Sequence, residues 1–356
     1  MNKLIIAAIL STGAMAINAQ VMENRNTNRS VAQQEQLNLT NEWDKVFPKS
    51  DKVNHQKVTF VNRYGITLAA DMYTPKGSEG KLPAIAVSGP FGAVKEQSSG
   101  LYAQQLAERG FLTIAFDPSF TGESGGTPRR VASPDINTED FSAAVDFLSV
   151  QDNVDADRIG ILGICGWGGL AINAAAADTR IKATVASTMY DMSRVNANGY
   201  FDADDNADAR YKMKEAYSAQ RTADYRNGDY QRAGGVVDPL PEDAPLFVKQ
   251  YYAYYKTPRG FHPRSGNSTD GWNTTSSIPF VNFPLLSRAD EIRNAVMIVH
   301  GELAHSRYFG EDAFKLLKGD NKKLVIVPDA NHCDLYDNLE KIPMNTIAEF
   351  YNTWMK

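Results

Sequence analysis

Cysteine is scarce in this chain. Cys165 and Cys333 are the only two in 356 residues, which excludes a small scaffold held together by disulfides. Histidine is also sparse, at five residues. None of the five forms a Cys/His cluster with metal-ligand spacing, so no metal and no cofactor are expected. Positive charge is in deficit. With 37 Lys and Arg against 42 Asp and Glu, the formal net charge is −5, which argues against a nucleic-acid partner held through phosphates. Past the N-terminus there is no run of about eighteen apolar residues, so no membrane anchor is expected. No internal repeat is visible.

The chain opens with a processing pattern. Lys3 supplies a short positive start, Leu4 to Leu10 form an apolar core, and Ile17-Asn18-Ala19 end on a small residue before Gln20. Residues 1–19 therefore read as a secretory signal peptide, too short to span a bilayer, and the protein is expected to be exported to the periplasm or outside the cell. No Cys stands near the cleavage site, so a lipid anchor is not expected. Residues 20–41 are polar, rich in Asn and Gln and without periodicity, and read as a mobile extension.

From residue 42 the chain alternates short apolar strands with helices. Val58 to Val61 and Thr67 to Met72 flank Asn62-Arg63-Tyr64-Gly65 as a hairpin. Pro83 to Val87 is a continuous apolar run, the signature of a strand buried on both faces. Ser99 to Arg109 reads as a helix, Phe111 to Phe116 as a strand, and Asn137 to Val150 as a helix capped by Asn137 or Thr138. Arg158 to Leu162 and Ile181 to Ser187 are the next strands. Ala295 to His300 and Lys323 to Val327 complete the set, with helices over Tyr308 to Leu317 and Pro343 to Trp354. Such alternation predicts a doubly wound, mostly parallel α/β sheet. The core is expected over residues 42–189 and 290–356. Residues 190–289 break the rhythm and are expected to be an inserted cap. Most of the 16 tyrosines lie there, between Tyr190 and Tyr255, and tyrosine suits the lining of a pocket because it joins a flat apolar ring to a polar tip.

The stretch with the most chemistry is Gly163-Ile164-Cys165-Gly166-Trp167-Gly168-Gly169. An apolar strand leads in and a small-residue helix leads out. This is the shape of a nucleophile elbow, where glycines let strand and helix backbones approach and the next helix points its amides at the site. The residue at the tip is Cys165. A general base must stand near it, at the carboxyl end of the sheet. Of the five histidines only His332 lies in the loop after the last strand. It is the expected base, able to take the thiol proton and to lower the Cys165 pKa. Cys333, next to it in sequence, is expected to face away and form no bridge with Cys165. Asp117, Gly122, Glu123 and Ser124 are expected to be a wall and turn, and Lys95-Glu96 a loop pair.

On these residues the chain resembles the α/β-hydrolase superfamily, and within it the dienelactone-hydrolase-like branch, where a Gly-x-Cys elbow is familiar. Gly89 to Gln97, Phe116 to Gly126, Gly163 to Gly169 and Gly301 to Ser306 carry the likeness. The resemblance implies a triad acid three residues after Gly301, but that position is Ala304. Glu302 is then the expected acid, with Asp191 as the alternative and Glu311 and Asp312 behind them. For the oxyanion hole, one amide should be that of Gly166, the residue after the nucleophile. The resemblance points to Phe91 for the other, with Gly92 in reserve, because Pro90 has no N–H. The expected activity is cleavage of a carboxylic ester, thioester or lactone of a small-molecule substrate through a Cys165 acyl-enzyme. The alternatives are a peptidase-like amide hydrolase and a non-catalytic binding protein on the same scaffold.

Overall fold

The computed structural model describes residues 35–356. Its eight strands are β1 (Val53–Val61), β2 (Thr67–Pro75), β3 (Leu82–Ser88), β4 (Leu112–Phe116), β5 (Val154–Ile164), β6 (Ile181–Ser187), β7 (Ala295–Gly301) and β8 (Lys322–Val327). They form one sheet in the order β1-β2-β4-β3-β5-β6-β7-β8. β1 and β2 are antiparallel to each other, and β2 is antiparallel to β4. Every later pairing is parallel. The doubly wound α/β class is the one that the strand–helix alternation predicts.

The helices are α1 (Ser98–Ala107), α2 (Pro134–Ser149), α3 (Gly166–Ala177), α4 (Met192–Asn198), α5 (Ala207–Asn227), α6 (Leu246–Tyr255), α7 (Ile278–Asn282), α8 (Arg307–Leu316), α9 (Asp334–Asp337) and α10 (Met344–Trp354). The inner parallel strands β3 to β7 are buried on both faces, with side chains that alternate between two apolar layers, whereas the edge strand β8 is only half-buried. Ile85 and Val87 of β3, Leu162 and Ile164 of β5, and Met297 and Val299 of β7 pack into one layer with Leu106, Ile347 and Tyr351. Ala84 and Ala86, Ile159 and Ile161, and Val296 and Ile298 pack into the other, with Phe141, Trp167 and Leu170. Each Val, Leu or Ile so buried contributes roughly 1.5–3 kcal/mol before its ordering entropy is subtracted.

Element boundaries shift where capping chemistry decides. α2 begins at Pro134, ahead of the expected Asn137, because Ser133 caps it: Ser133 Oγ accepts from Ile136 N, and Pro134 takes the first helical position. Asn137 works inside the helix instead, accepting the Ser133 N–H at 2.9 Å. The signal-peptide residues 1–19 and most of the expected extension lie outside the described residues. The end of that extension is tied to the core: Glu35 N donates to Thr67 Oγ1 at 3.0 Å and Thr40 N to Glu123 Oε1 at 2.6 Å. Both acceptors are buried, so these polar residues pair with the core although they carry no periodicity.

Residues 190–289 hold α4 to α7, short 3₁₀ turns and two isolated bridges, Arg232–Asn273 and Gly234–Gly271. α5 is polar almost all round, with Asp224 its one buried residue. Asn206 caps its start and Gly228, at φ 68°, ends it in the left-handed conformation. Among the described residues no helix is long and apolar enough to cross a membrane.

Candidate active site

β5 ends at Ile164, α3 begins at Gly166, and Cys165 between them sits at φ 58°, ψ −127°. A non-glycine residue in this region costs of order 1–3 kcal/mol and persists only where its surroundings fix it. Three backbone bonds do so here. Cys165 N donates to Ser187 O, and Cys165 O accepts from Gly168 N and Tyr190 N, each at 2.9 Å. The flanking glycines are required by contact. A methyl at Gly163 would overlap the Trp167 carbonyl, one at Gly169 the Tyr190 carbonyl, and one at Gly168 would lie 2.5 Å from Met189 Cβ.

Cys165 opens onto a cavity of about 210 Å³. Phe91, Tyr190, Tyr251, Asn267 and Tyr336 line it beside Cys165, with Met192, Val195 and Val236 completing an uncharged wall. The polar groups that act on the sulfur are the Tyr336 hydroxyl and the backbone amides of Gly166 and Phe91. The structure thus brings Cys165, Gly166 and Phe91 together. The loop carrying Phe91 is held from residues 190–289: Asn267 Nδ2 donates to Phe91 O at 2.7 Å, and Asn267 N to Gly92 O at 3.0 Å.

His332 stands behind this wall, fully buried and absent from the cavity lining. Its Nδ1 lies 2.6 Å from Ser306 Oγ and 2.9 Å from Thr188 Oγ1, and its Nε2 lies 3.0 Å from the Tyr336 hydroxyl. Thr188 is itself held at φ 43°, unusual for a β-branched residue, with its N–H donated to Val299 O at 2.6 Å. Burial, followed by the nearby His305 and His300, pushes the His332 pKa well below 6.5. The ring is therefore neutral at pH 7.

The expected acids are elsewhere. Glu302 is exposed, and its Oε2 accepts the Asp329 N–H at 3.1 Å. Asp191 caps α4, accepting from Ser193 N at 2.9 Å and Arg194 N at 3.1 Å. Glu311 pairs with Arg307, and Asp312 with Arg194 and Lys315. Among the described residues no carboxylate touches His332. Ser306 and Thr188 hold its Nδ1, and neither was expected. Single hydroxyls in strand-end loops carry no distinctive spacing, so no sequence signal marks them.

The expected lowering of the Cys165 pKa is also corrected. Burial pushes the thiol up, and the bonds from Tyr336, Gly166 and Phe91 offset only part of that. The reason is burial, with no imidazolium beside the sulfur to counter it: His332 is held neutral and its Nε2 faces the Tyr336 hydroxyl. Cys165 and Cys333 are both free and buried. Burial raises the Cys333 thiol well above its ordinary value, and Cys333 does not line the cavity.

Residues expected to form only a loop and wall instead build a buried charge cluster. Lys95 Nζ lies 2.7 Å from each of Glu96 Oε1, Asp117 Oδ2 and Glu123 Oε2. Arg264 adds a second cation 2.8 Å from Glu96 Oε1, and Lys57 pairs with Glu123. The three carboxylates converge as a cation site would, but the Lys95 ammonium already fills that place.

A mostly parallel sheet feeding a strained strand–elbow–helix, with a buried histidine from the loop after the last strand standing behind it, defines a hydrolase of the α/β-hydrolase fold. Residues 64–333 match the model of the X-Pro dipeptidyl-peptidase (S15) family, and the chain belongs to that family. It is 56% identical over 321 residues to an uncharacterized protein of Pseudomonas aeruginosa, covering 89% of this chain and 85% of that one. The crystal structure of a hypothetical protein from Pseudomonas aeruginosa superposes with a TM-score of 0.87 at 55% identity, covering 90% of this chain and 99% of that one. A shorter match, 31% over 137 residues, covers 38% of this chain and 42% of the thiohydrolase aneE of Aspergillus aculeatus.

Proposed function

We propose that this hydrolase cleaves a carboxylic ester, thioester or lactone through an acyl-enzyme on Cys165, in the manner of the dienelactone-hydrolase-like branch. The observation that carries the reading is Cys165 at the strained elbow, opening onto the cavity with the Gly166 and Phe91 amides acting on its sulfur. An acyl carbonyl attacked by that sulfur puts its developing oxyanion beside the same two N–H groups, and losing one such donor typically costs about 10²–10³ in kcat. His332 is the ultimate acceptor of the thiol proton and its donor to the leaving group. The uncharged, tyrosine-rich wall suits a small neutral acyl group. Residues 190–289 serve as a cap, since Tyr190, Val195, Val236, Tyr251 and Asn267 all reach the cavity from that segment. The similarity to a thiohydrolase favours including thioesters.

A peptidase reading draws on the family itself. Against it, the cavity lining offers no carboxylate for a peptide amino terminus, and amide cleavage asks more of the general acid than a neutral Ser306–His332 pair provides. The test is intact-mass analysis after mixing the protein with p-nitrophenyl butyrate, a butyryl thioester and an X-Pro p-nitroanilide. An acyl mass on Cys165 from the ester or thioester, with turnover lost in Cys165→Ala, is the expected result. Turnover of the anilide alone, or activity retained in Cys165→Ala, would overturn it. Export rests on residues 1–19, and cell fractionation that finds the full-length chain in the cytoplasm would remove that part.

A further inference from the structure

The position of Tyr336 has a chemical meaning that the nucleophile and base alone do not exhaust. His332 is buried and does not reach the cavity, whereas Tyr336 lines it. Tyr336 and Cys165 line the same cavity, the Tyr336 hydroxyl acts on the sulfur from that wall, and the same hydroxyl lies 3.0 Å from His332 Nε2 on its other side. The two residues are four apart, on one turn that Asn331 and Asp334 lock reciprocally. Asn331 Oδ1 accepts from Cys333 N at 2.9 Å and from Asp334 N at 3.1 Å, while Asp334 Oδ2 accepts from Asn331 N at 2.8 Å. The Tyr336 ring is wedged edge-on against Tyr254, with centroids 5.0 Å apart.

We infer that Tyr336 is a catalytic residue whose hydroxyl carries the proton between the Cys165 sulfur and His332 Nε2; the inference rests on the acyl-enzyme reading above. In the acylation step the sulfur forms a bond to the carbonyl carbon as the S–H proton passes to the Tyr336 oxygen. The Tyr336 O–H proton passes at the same time to Nε2, leaving imidazolium. The carbonyl electron pair moves to the oxygen held by the Gly166 and Phe91 amides. Collapse expels the leaving group, which takes the Tyr336 proton while Nε2–H restores it. Water then enters by the same route in reverse, and free acid and thiol result. The step requires Nε2 to begin without a proton, so Nδ1–H is donated to Ser306 or Thr188. Burial holds the Tyr336 phenol well above 10. A free phenolate is thus not a resting stage, and the two protons move together.

The experiment compares wild type with Tyr336→Phe in the full chain. It measures the rate of butyryl-adduct formation on Cys165, the rate of iodoacetamide alkylation of Cys165, and the proton inventory of acylation in H₂O/D₂O mixtures. Acylation and alkylation are expected to fall by about 10²-fold or more, the usual worth of a positioned proton-transfer group, with a bowed inventory in wild type. Rates within about twofold of wild type in Tyr336→Phe, faster rates, or a linear wild-type inventory would each overturn the relay. If Tyr336→Phe does not fold, the wild-type inventory decides. Absence of any adduct in wild type would overturn the acyl-enzyme reading instead, and the alkylation rates would then judge the relay by themselves.

Discussion

The group that orients His332 gives the sharpest test of this site. Two neutral hydroxyls hold Nδ1, Ser306 at 2.6 Å and Thr188 at 2.9 Å. A neutral hydrogen bond nets about 0.5–1.5 kcal/mol, and each 1.36 kcal/mol is about tenfold in rate. Ser306→Ala, which leaves Thr188 in place, should therefore lower kcat/KM by roughly 2- to 10-fold. Ser306→Ala combined with Thr188→Val leaves a buried N–H without a partner, at about 1–3 kcal/mol, or roughly 5- to 150-fold. Thr188→Val keeps the branched shape at the strained φ of 43°, so the pair reports mainly on the bond. Glu302→Gln, on an exposed carboxylate that meets only Asp329 N, should change the rate by less than about twofold, as surface substitutions do. These losses are far smaller than the ~10⁴ of a wrong-tautomer serine triad, because no charge is removed. The assay is p-nitrophenyl butyrate turnover, with Tm recorded for each variant. A hundredfold loss in Glu302→Gln or Asp191→Asn, with none in Ser306→Ala, would refute the reasoning.

Three further outcomes are expected. Lys95→Met should destabilise the fold by roughly 3–5 kcal/mol in urea titration, since it strands Glu96, Asp117 and Glu123 without their shared cation; a change below about 1 kcal/mol would show that Arg264 and Lys57 suffice. Acid should weaken the fold through the histidines: burial holds His305 down to about 4 and His332 well below its ordinary value. Below about pH 6.5 the unfolded chain then binds more protons than the folded one, and stability falls with pH. Asp140, raised to about 6 by burial, acts in the opposite sense, its contribution fading as pH rises through 6. His305→Phe, stacked on Phe247 as the imidazole is at 4.5 Å between centroids, should flatten the acid slope of the urea midpoint between pH 7 and 5, and an unchanged slope would count against it. Finally, iodoacetamide should modify Cys165 at a rate still climbing at pH 9, because burial raises its pKa; a plateau reached near pH 6 would indicate a thiolate–imidazolium pair.

What could be read from the residues follows from the range of the forces involved. Strands such as Pro83 to Val87 declare themselves because burial on both faces demands an unbroken apolar run, and the elbow does so because close backbone approach admits only glycine at 163, 168 and 169. The acid position that the resemblance implies is empty at Ala304, and the hydroxyls that hold His332 instead carry no sequence signal, since Ser306 and Thr188 meet it only through the register of β6, β7 and the last loop. Lys95, Asp117 and Glu123 look like ordinary loop residues. Their pairing emerges only when the ends of β3 and β4 lie side by side. Tyr336 is one aromatic among many in the sequence, and its place four residues after His332 gains meaning only once the turn brings its hydroxyl to Nε2.

Asn267 sits far along the chain from the elbow, yet its side chain and backbone hold the carbonyls of Phe91 and Gly92. The peptide that carries one of the two proposed oxyanion amides is thus clamped by residues 190–289. In protein-engineering terms the segment is not a detachable module. A chimera that grafts another hydrolase's insertion onto this core to change its substrate would also unfasten the Phe91 loop, and selectivity and rate would move together unless the Asn267 contact were carried over with the graft.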